Sequence, residues 1–289
     1  MMNYLLTLVV ALVGSLVFQL VHLPIPWLLG SLVFVFITQF FTKLPLTWDI
    51  RFRNTGLMIV GFSMGHIFTL AVLQEIVLLF PYLFMFNIVL LLFSIMMAYF
   101  IHIYCKLPFS TMVVANVPGG LSQMILFAEE TKRMDVSIVT YFQVIRVFLV
   151  VLTIPFLVLL FSNGDTVLKE NPTFSMTDGV LLGILFAFSP LAVALAKRLY
   201  VPVPYFVGPL LYVLLVSLTG LRVPEMPITI VHIAQLCIGT YVGLLLKRED
   251  IFFSRRIVVM GIVSTLCLIA FSFVISWQFH FWLDESVIS

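Results

Sequence analysis

The chain reads as an all-α polytopic membrane protein, with about nine spanning helices and one re-entrant or broken element, arranged as two repeats of opposite orientation. Three observations predict this fold class. Apolar residues fill 62% of the 289 positions and charged ones 10%, at a mean hydropathy of +1.20. Apolar runs of membrane-crossing length recur from one end to the other. The punctuation of "LPIPWLLG" also returns further along: Pro24, Pro26 and Gly30 are matched by Pro202, Pro204 and Gly208, each 178 positions later.

The apolar runs give segments at 3–22, 26–41, 54–73, 81–104, 109–128, 136–161, 179–196, 203–220, 227–246 and 257–282. The first, from Tyr4 to Val21, lacks the basic flank and small-residue cleavage site of a signal peptide and is expected to be retained. Pro26 and Pro204 open the second and eighth, where a missing N–H costs a helix least. The fifth is interrupted by "ANVPGGLSQM", in which Pro118, Gly119 and Gly120 are poor helix continuers. The polar stretch "SNGDTVLKENPTFSMTD" follows the sixth. It divides a first repeat, 1–162, from a second, 179–289, with 163–178 as linker.

Between residues 24 and 65 the first copy holds Pro24, Pro26, Gly30, Pro45, Gly56, Gly61 and Gly65. Pro24, Pro26, Gly30, Gly61 and Gly65 meet an identical residue 178 positions on, the last two at Gly239 and Gly243. An internal duplication is the expected cause. A counterpart of Pro118 would fall about seven places past Ser289, so the second copy is expected to be incomplete.

Orientation follows from Lys and Arg, which favour the cytoplasmic side. If segment 109–128 enters and leaves on one face, Lys43, Arg51, Arg53, Lys106, Lys132, Arg133, Lys197, Arg198, Lys247, Arg248, Arg255 and Arg256 share a side, leaving only Lys169 and Arg222 opposite. Ten full crossings would split the basic residues almost evenly. The re-entrant arrangement is therefore expected, with a cytoplasmic amino terminus and an odd number of crossings per copy, which inverts the second.

Irregular backbone at membrane depth persists only where protein or a wet cavity surrounds it. The "PGGLSQ" stretch offers free N–H groups, the Ser122 hydroxyl and the Gln123 amide at the start of a helix, which suits a small solute or anion. A packing kink is the alternative. Arg146 lies about ten residues, or ~15 Å, into segment 136–161 at the rise of a helix. A cation at that depth costs about 2.5–3.5 kcal/mol. It either anchors an anionic group or serves a buried carbonyl or carboxylate, with Gln143 one turn earlier on the same face. Asn116, Pro118, Gly119, Gly120, Ser122, Gln123, Gln143 and Arg146 form the candidate substrate site. Pro24, Pro26, Gly30, Pro202, Pro204 and Gly208 are candidate helix breaks. Gly61, Gly65, Gly239 and Gly243 have the G-x-x-x-G spacing of helix packing. His66 is an intramembrane imidazole read first as a packing residue.

The elements "PIPWLLG", "PVPYFVGPL" and above all "VPGGLSQM" resemble the AbrB family of duplicated bacterial membrane proteins, often labelled ammonia monooxygenase or transcriptional regulator. The resemblance spans nearly the whole chain. It implies a multi-pass protein of the bacterial cytoplasmic membrane with reported influence on gene expression. The family motif commonly carries an acidic residue after the serine, where this chain has Gln123, which can neither carry a proton nor pair a cation.

Several function classes lose support. A net charge of +2 over short loops gives no nucleic-acid surface. Cys105, Cys237 and Cys267 are widely separated, and no His/Cys/carboxylate cluster has metal-binding spacing. With no phosphate loop, nucleophile elbow or nicotinamide fingerprint, neither an enzyme nor a cofactor is expected. The expected partners are the bilayer and a small solute, and a homo-oligomer stays open. The leading reading is a secondary transporter of a small anionic organic solute bound at broken helices near the midplane. A membrane-embedded sensor or regulator acting through a partner is the alternative.

Overall fold

The computed structural model describes residues 2–42, 44–65, 67–68, 70–131, 134–161, 176–221, 223–246 and 254–283. Among them the chain is helical throughout, with no strand: α1 (Met2–Leu20), α2 (Pro26–Phe41), α3 (Ile50–Gly65), α4 (Leu70–Cys105), α5 (Phe109–Asn116), α6 (Leu121–Glu130), α7 (Val136–Phe161), α8 (Met176–Ala187), α9 (Ser189–Arg198), α10 (Pro204–Leu218), α11 (Ile228–Gly243) and α12 (Arg255–Leu283). Five stretches are long and apolar enough to cross a membrane: Asn3–Leu20, Val72–Cys105, Val136–Leu160, Asp178–Arg198 and Arg255–Gln278. Pro26–Phe41, Pro204–Leu218 and Ile228–Gly243 are apolar but shorter.

Two expected segments are corrected. Segment 54–73 is not one helix, because α3 stops at Gly65 and a new helix starts at Leu70. The boundary expected near residue 81 is absent: α4 runs 36 residues with Pro81 inside it. A proline deletes only one backbone bond, and an apolar helix of this length absorbs the loss. Segment 179–196 lies within the stretch Asp178–Arg198, which is interrupted at Phe188, where α8 gives way to α9 just before Pro190, whose ring and missing N–H end the first helix. His66 lies outside the described residues, as does the expected linker 163–178 up to residue 175; Met176 already opens α8.

The chain forms two compact units, Met1–Leu79 with Thr166–Leu244, and Phe80–Asp165 with Leu245–Ser289. Each draws on both the early and the late part of the sequence.

In the first unit the neighbours run in the order α1, α2, α11, α3, α10, α9. Glycines set the spacing. A Cβ on Gly61 would stand 2.2 Å from the Phe206 carbonyl oxygen, and one on Gly239 would stand 2.2 Å from that of Leu28. Gly65 faces Leu210 and Val213 of α10, while Gly243 faces Leu32 of α2. Helix α3 therefore runs parallel to α10, and α11 parallel to α2. Between the two pairs, Gly56 abuts Ala234 and Arg53 lies over the Tyr241 ring at 5.0 Å, so α3 and α11 are antiparallel. Gly14 meets Gly30 across the α1–α2 hairpin, and Gly208 meets Ala192 across α9–α10. Such close backbone approach is how apolar helices associate where the surroundings are equally apolar.

The turns entering α2 and α10 share their backbone. His22 and Tyr200 both have φ 56°, and each is followed by a closing bond, Leu23 N to Phe18 O at 3.1 Å and Val201 N to Ala196 O at 2.9 Å. Then Ile25 (φ 43°) and Val203 (φ 49°) adopt the left-handed conformation between two prolines. That region is uncommon for any β-branched residue.

Candidate functional site

The second unit is built on α7, against which α5, α6 and α12 pack. Helix α12 comes close because Gly261 lies beneath the Tyr141 ring, whose hydroxyl donates to the Val258 carbonyl at 3.0 Å. Helix α7 begins with an Asx cap: Asp135 Oδ1 accepts from Ser137 N at 3.0 Å and Ile138 N at 3.1 Å. Asp135 N donates to Thr111 Oγ1 at 3.3 Å, so the start of α7 lies level with the start of α5. Further on, residues 143–146 of α7 meet residues 114–117. Helix α5 thus runs alongside α7 in the same direction, and α6 brings the chain back to the level from which α5 set out. The two form a hairpin with residues 117–120 at its tip.

The chemistry of the tip follows from Pro118. A helix leaves its last four carbonyls without intrahelical donors. In α5 these are Val113, Val114, Ala115 and Asn116. Val117 N takes the first, at 2.9 Å. Proline at 118 has no N–H for the second, and Gln143 supplies it instead: its Nε2 lies 2.8 Å from Val114 O, with Ala115 O and Val117 O at 3.4 and 3.3 Å. Arg146 Nη1 donates to Asn116 O at 2.8 Å, and Nη2 donates to Gln143 Oε1. The Asn116 side chain turns back to Met112 O at 2.9 Å. Gln143 and Asn116 are 1% and 2% exposed, so these bonds are made out of reach of solvent.

Of the sequence-predicted site residues, Asn116, Gln143 and Arg146 therefore converge directly. Pro118, Gly119 and Gly120 form the exposed tip. Gln123, in the first turn of α6, is also exposed, and no side chain caps that helix. The Ser122 side chain lies outside the described part. Pro24, Pro26, Gly30, Pro202, Pro204 and Gly208 belong to the first unit, at the starts of α2 and α10. What sequence reasoning missed is the group Val113, Val114, Val117, Met124 and Phe127, which with Gln123 lines a cleft between the hairpin arms. Their signal was available as one-turn spacing on either side of the break.

The arrangement places one cation at the carboxyl end of α5. Arg146 carries five N–H donors, of which these bonds use two. None of the described residues that bond it is a carboxylate. The partial negative charge at the end of α5 is met by Gln143 and Arg146, so the helix end offsets part of the guanidinium charge at a break inside an apolar span.

A helical fold of membrane type with a broken hairpin seated on a polar-studded helix is thus the class of protein in hand. The chain belongs to the AbrB family: the family model described as "Transition state regulatory protein AbrB" matches residues 27–289. The chain is also similar to the uncharacterized protein YhjN of Bacillus subtilis (strain 168), at 27% identity over 289 residues, covering 90% of this chain and 73% of that protein. No solved structure matches.

Proposed function

We propose that the chain is a secondary transporter of a small anionic organic solute, bound at the broken hairpin and Arg146. The observation that carries this reading is the guanidinium at the break, held by a carbonyl and an amide with no carboxylate among the described residues that bond it. A cation held about ten residues into an apolar helix is costly to insert, and an anion at the tip would offset that cost.

The architecture supports it. Two copies of opposite orientation are the simplest account of the first unit: α2 and α10 begin at Pro26 and Pro204, and α3 and α11 run from Ile50 to Gly65 and from Ile228 to Gly243, each bound 178 positions apart. In each pair of counterparts the helices run in opposite directions, as inverted repeats require. On this reading the shorter apolar helices also cross, giving about nine spans, and the α5–α6 hairpin is re-entrant. Arg51, Arg53, Lys197, Arg198, Arg255 and Arg256 then share the cytoplasmic face with the amino terminus.

A regulatory role is favoured by one observation, the description that the family carries. Flux separates the two. Purified protein in proteoliposomes is expected to move an organic anion, and Arg146→Gln, which keeps a donor for Asn116 O but loses the charge, is expected to abolish movement while remaining folded. Arg146→Lys should restore part, since a point charge cannot reproduce the guanidinium fork. Saturable binding without flux in the wild type would favour the regulator, and a folded Gln variant with undiminished flux would remove Arg146 from the site.

A further inference from the structure

The two arms of the hairpin do not close on one another. Between them lies an apolar cleft of about 360 Å³, lined by Val113, Val114 and Val117 of α5 and by Gln123, Met124 and Phe127 of α6. The α5 wall is tied to the cation: Val114 and Val117 accept from Gln143, which accepts from Arg146, and Val117 follows directly on Asn116, whose carbonyl Arg146 holds at 2.8 Å. We propose that this cleft takes the apolar tail of a monocarboxylate whose charged head is bound at Arg146. The inference rests on the anion reading above and narrows it to a substrate class.

Charge sets the head. One guanidinium, with no carboxylate among its described partners, balances one negative charge, and a second charge on the ligand would be carried into an apolar wall without compensation. Wall chemistry sets the tail. Five of the six lining side chains offer no hydrogen bond, so hydroxyl or phosphate substituents would lose water and gain nothing. Only the Gln123 amide could serve a single polar atom. Size fits as well, since ~300 Å³ is the lower end of the range for small-molecule sites, enough for a short branched or aromatic acid.

The test uses the full chain in detergent and measures the affinities of acetate, phenylacetate and succinate by titration calorimetry. Phenylacetate is expected to bind at least about tenfold tighter than acetate, with succinate weakest. Phe127→Ala should reduce the preference for phenylacetate over acetate about tenfold while leaving acetate unchanged. Phe127 is 51% exposed, so the truncation leaves the fold intact. Equal affinity for acetate and phenylacetate, succinate binding as tight as phenylacetate, or an unchanged preference in Phe127→Ala would each overturn the tail while leaving the anion site standing. Failure of all three acids to bind the wild type would sink the anion reading and this inference together.

Discussion

Pro118 has no N–H to offer Val114, and Gln143 stands where the missing donor would be needed. The carbonyl is buried, so removing the substitute leaves a polar atom desolvated and unpaired, at a cost of about 1–3 kcal/mol. Gln143→Leu is therefore expected to lower the melting temperature by that equivalent. A Leu variant as stable as the wild type would mean the carbonyl finds another donor. Part of this was legible from residues alone. Pro118 marks the break, and Arg146 with Gln143 one turn earlier are polar groups in an otherwise apolar span. That Arg146 serves a carbonyl was one of the two readings open to sequence. The pairing was not legible, because the donors lie some thirty residues beyond the acceptors and a single sequence carries no distance between them.

Helices tell a similar story at their own scale. Segment 136–161 is α7 to the residue, and the starts of α2 and α10 fall on Pro26 and Pro204, where proline chemistry is local and decisive. Where the outcome depended on context, reading failed. Pro81 looks like a boundary yet lies inside α4, and nothing in "GHIFTLA" announces that α3 ends at Gly65. Glycines make the sharpest predictions here. Gly61→Ala and Gly239→Ala each drive a methyl to 2.2 Å from a backbone oxygen that cannot swing aside, so both should destabilise by about 1–3 kcal/mol, and by similar amounts. Gly183→Ala in α8 is the control: nothing lies within 4 Å of its added Cβ, and gained helix propensity should leave stability unchanged or raise it by up to about 1 kcal/mol. Thermal melts of the three variants in one detergent would check this. Equal behaviour of Gly61→Ala and Gly183→Ala would contradict the close approach of α3 and α10.

For the whole molecule, the testable matter is which ends share a side of the membrane. The hydrogen bond from Asp135 to Thr111 puts the loop before α5 level with the loop before α7. Single cysteines at Pro108 and Met134, in a background lacking Cys105, Cys237 and Cys267, are expected to react with an impermeant thiol reagent from the same side, the cytoplasmic one. Labelling from opposite sides would turn the hairpin into a full crossing and undo the charge argument for orientation. The all-helical, membrane-type character and the 178-residue spacing of prolines and glycines were readable because composition and proline–glycine punctuation are properties of sequence. The division into units that each combine early and late segments was not, since it is made by contacts between distant stretches.

The order α1, α2, α11, α3, α10, α9 also constrains how the protein is made. Helices α2 and α3 leave the ribosome long before α10 and α11, yet Gly61 and Gly65 of α3 pack against α10, Gly56 packs against α11, and Leu28 and Leu32 of α2 meet Gly239 and Gly243 of α11. At roughly 5–20 residues per second of synthesis, the early pair waits on the order of ten seconds or more for its partners. During that interval those helices can be held only by lipid, by the α1–α2 hairpin or by an insertion factor. High sequence separation between contacting helices slows folding, so arrest of translation between α3 and α10 should yield an inserted but protease-sensitive intermediate, which becomes resistant once α11 has emerged.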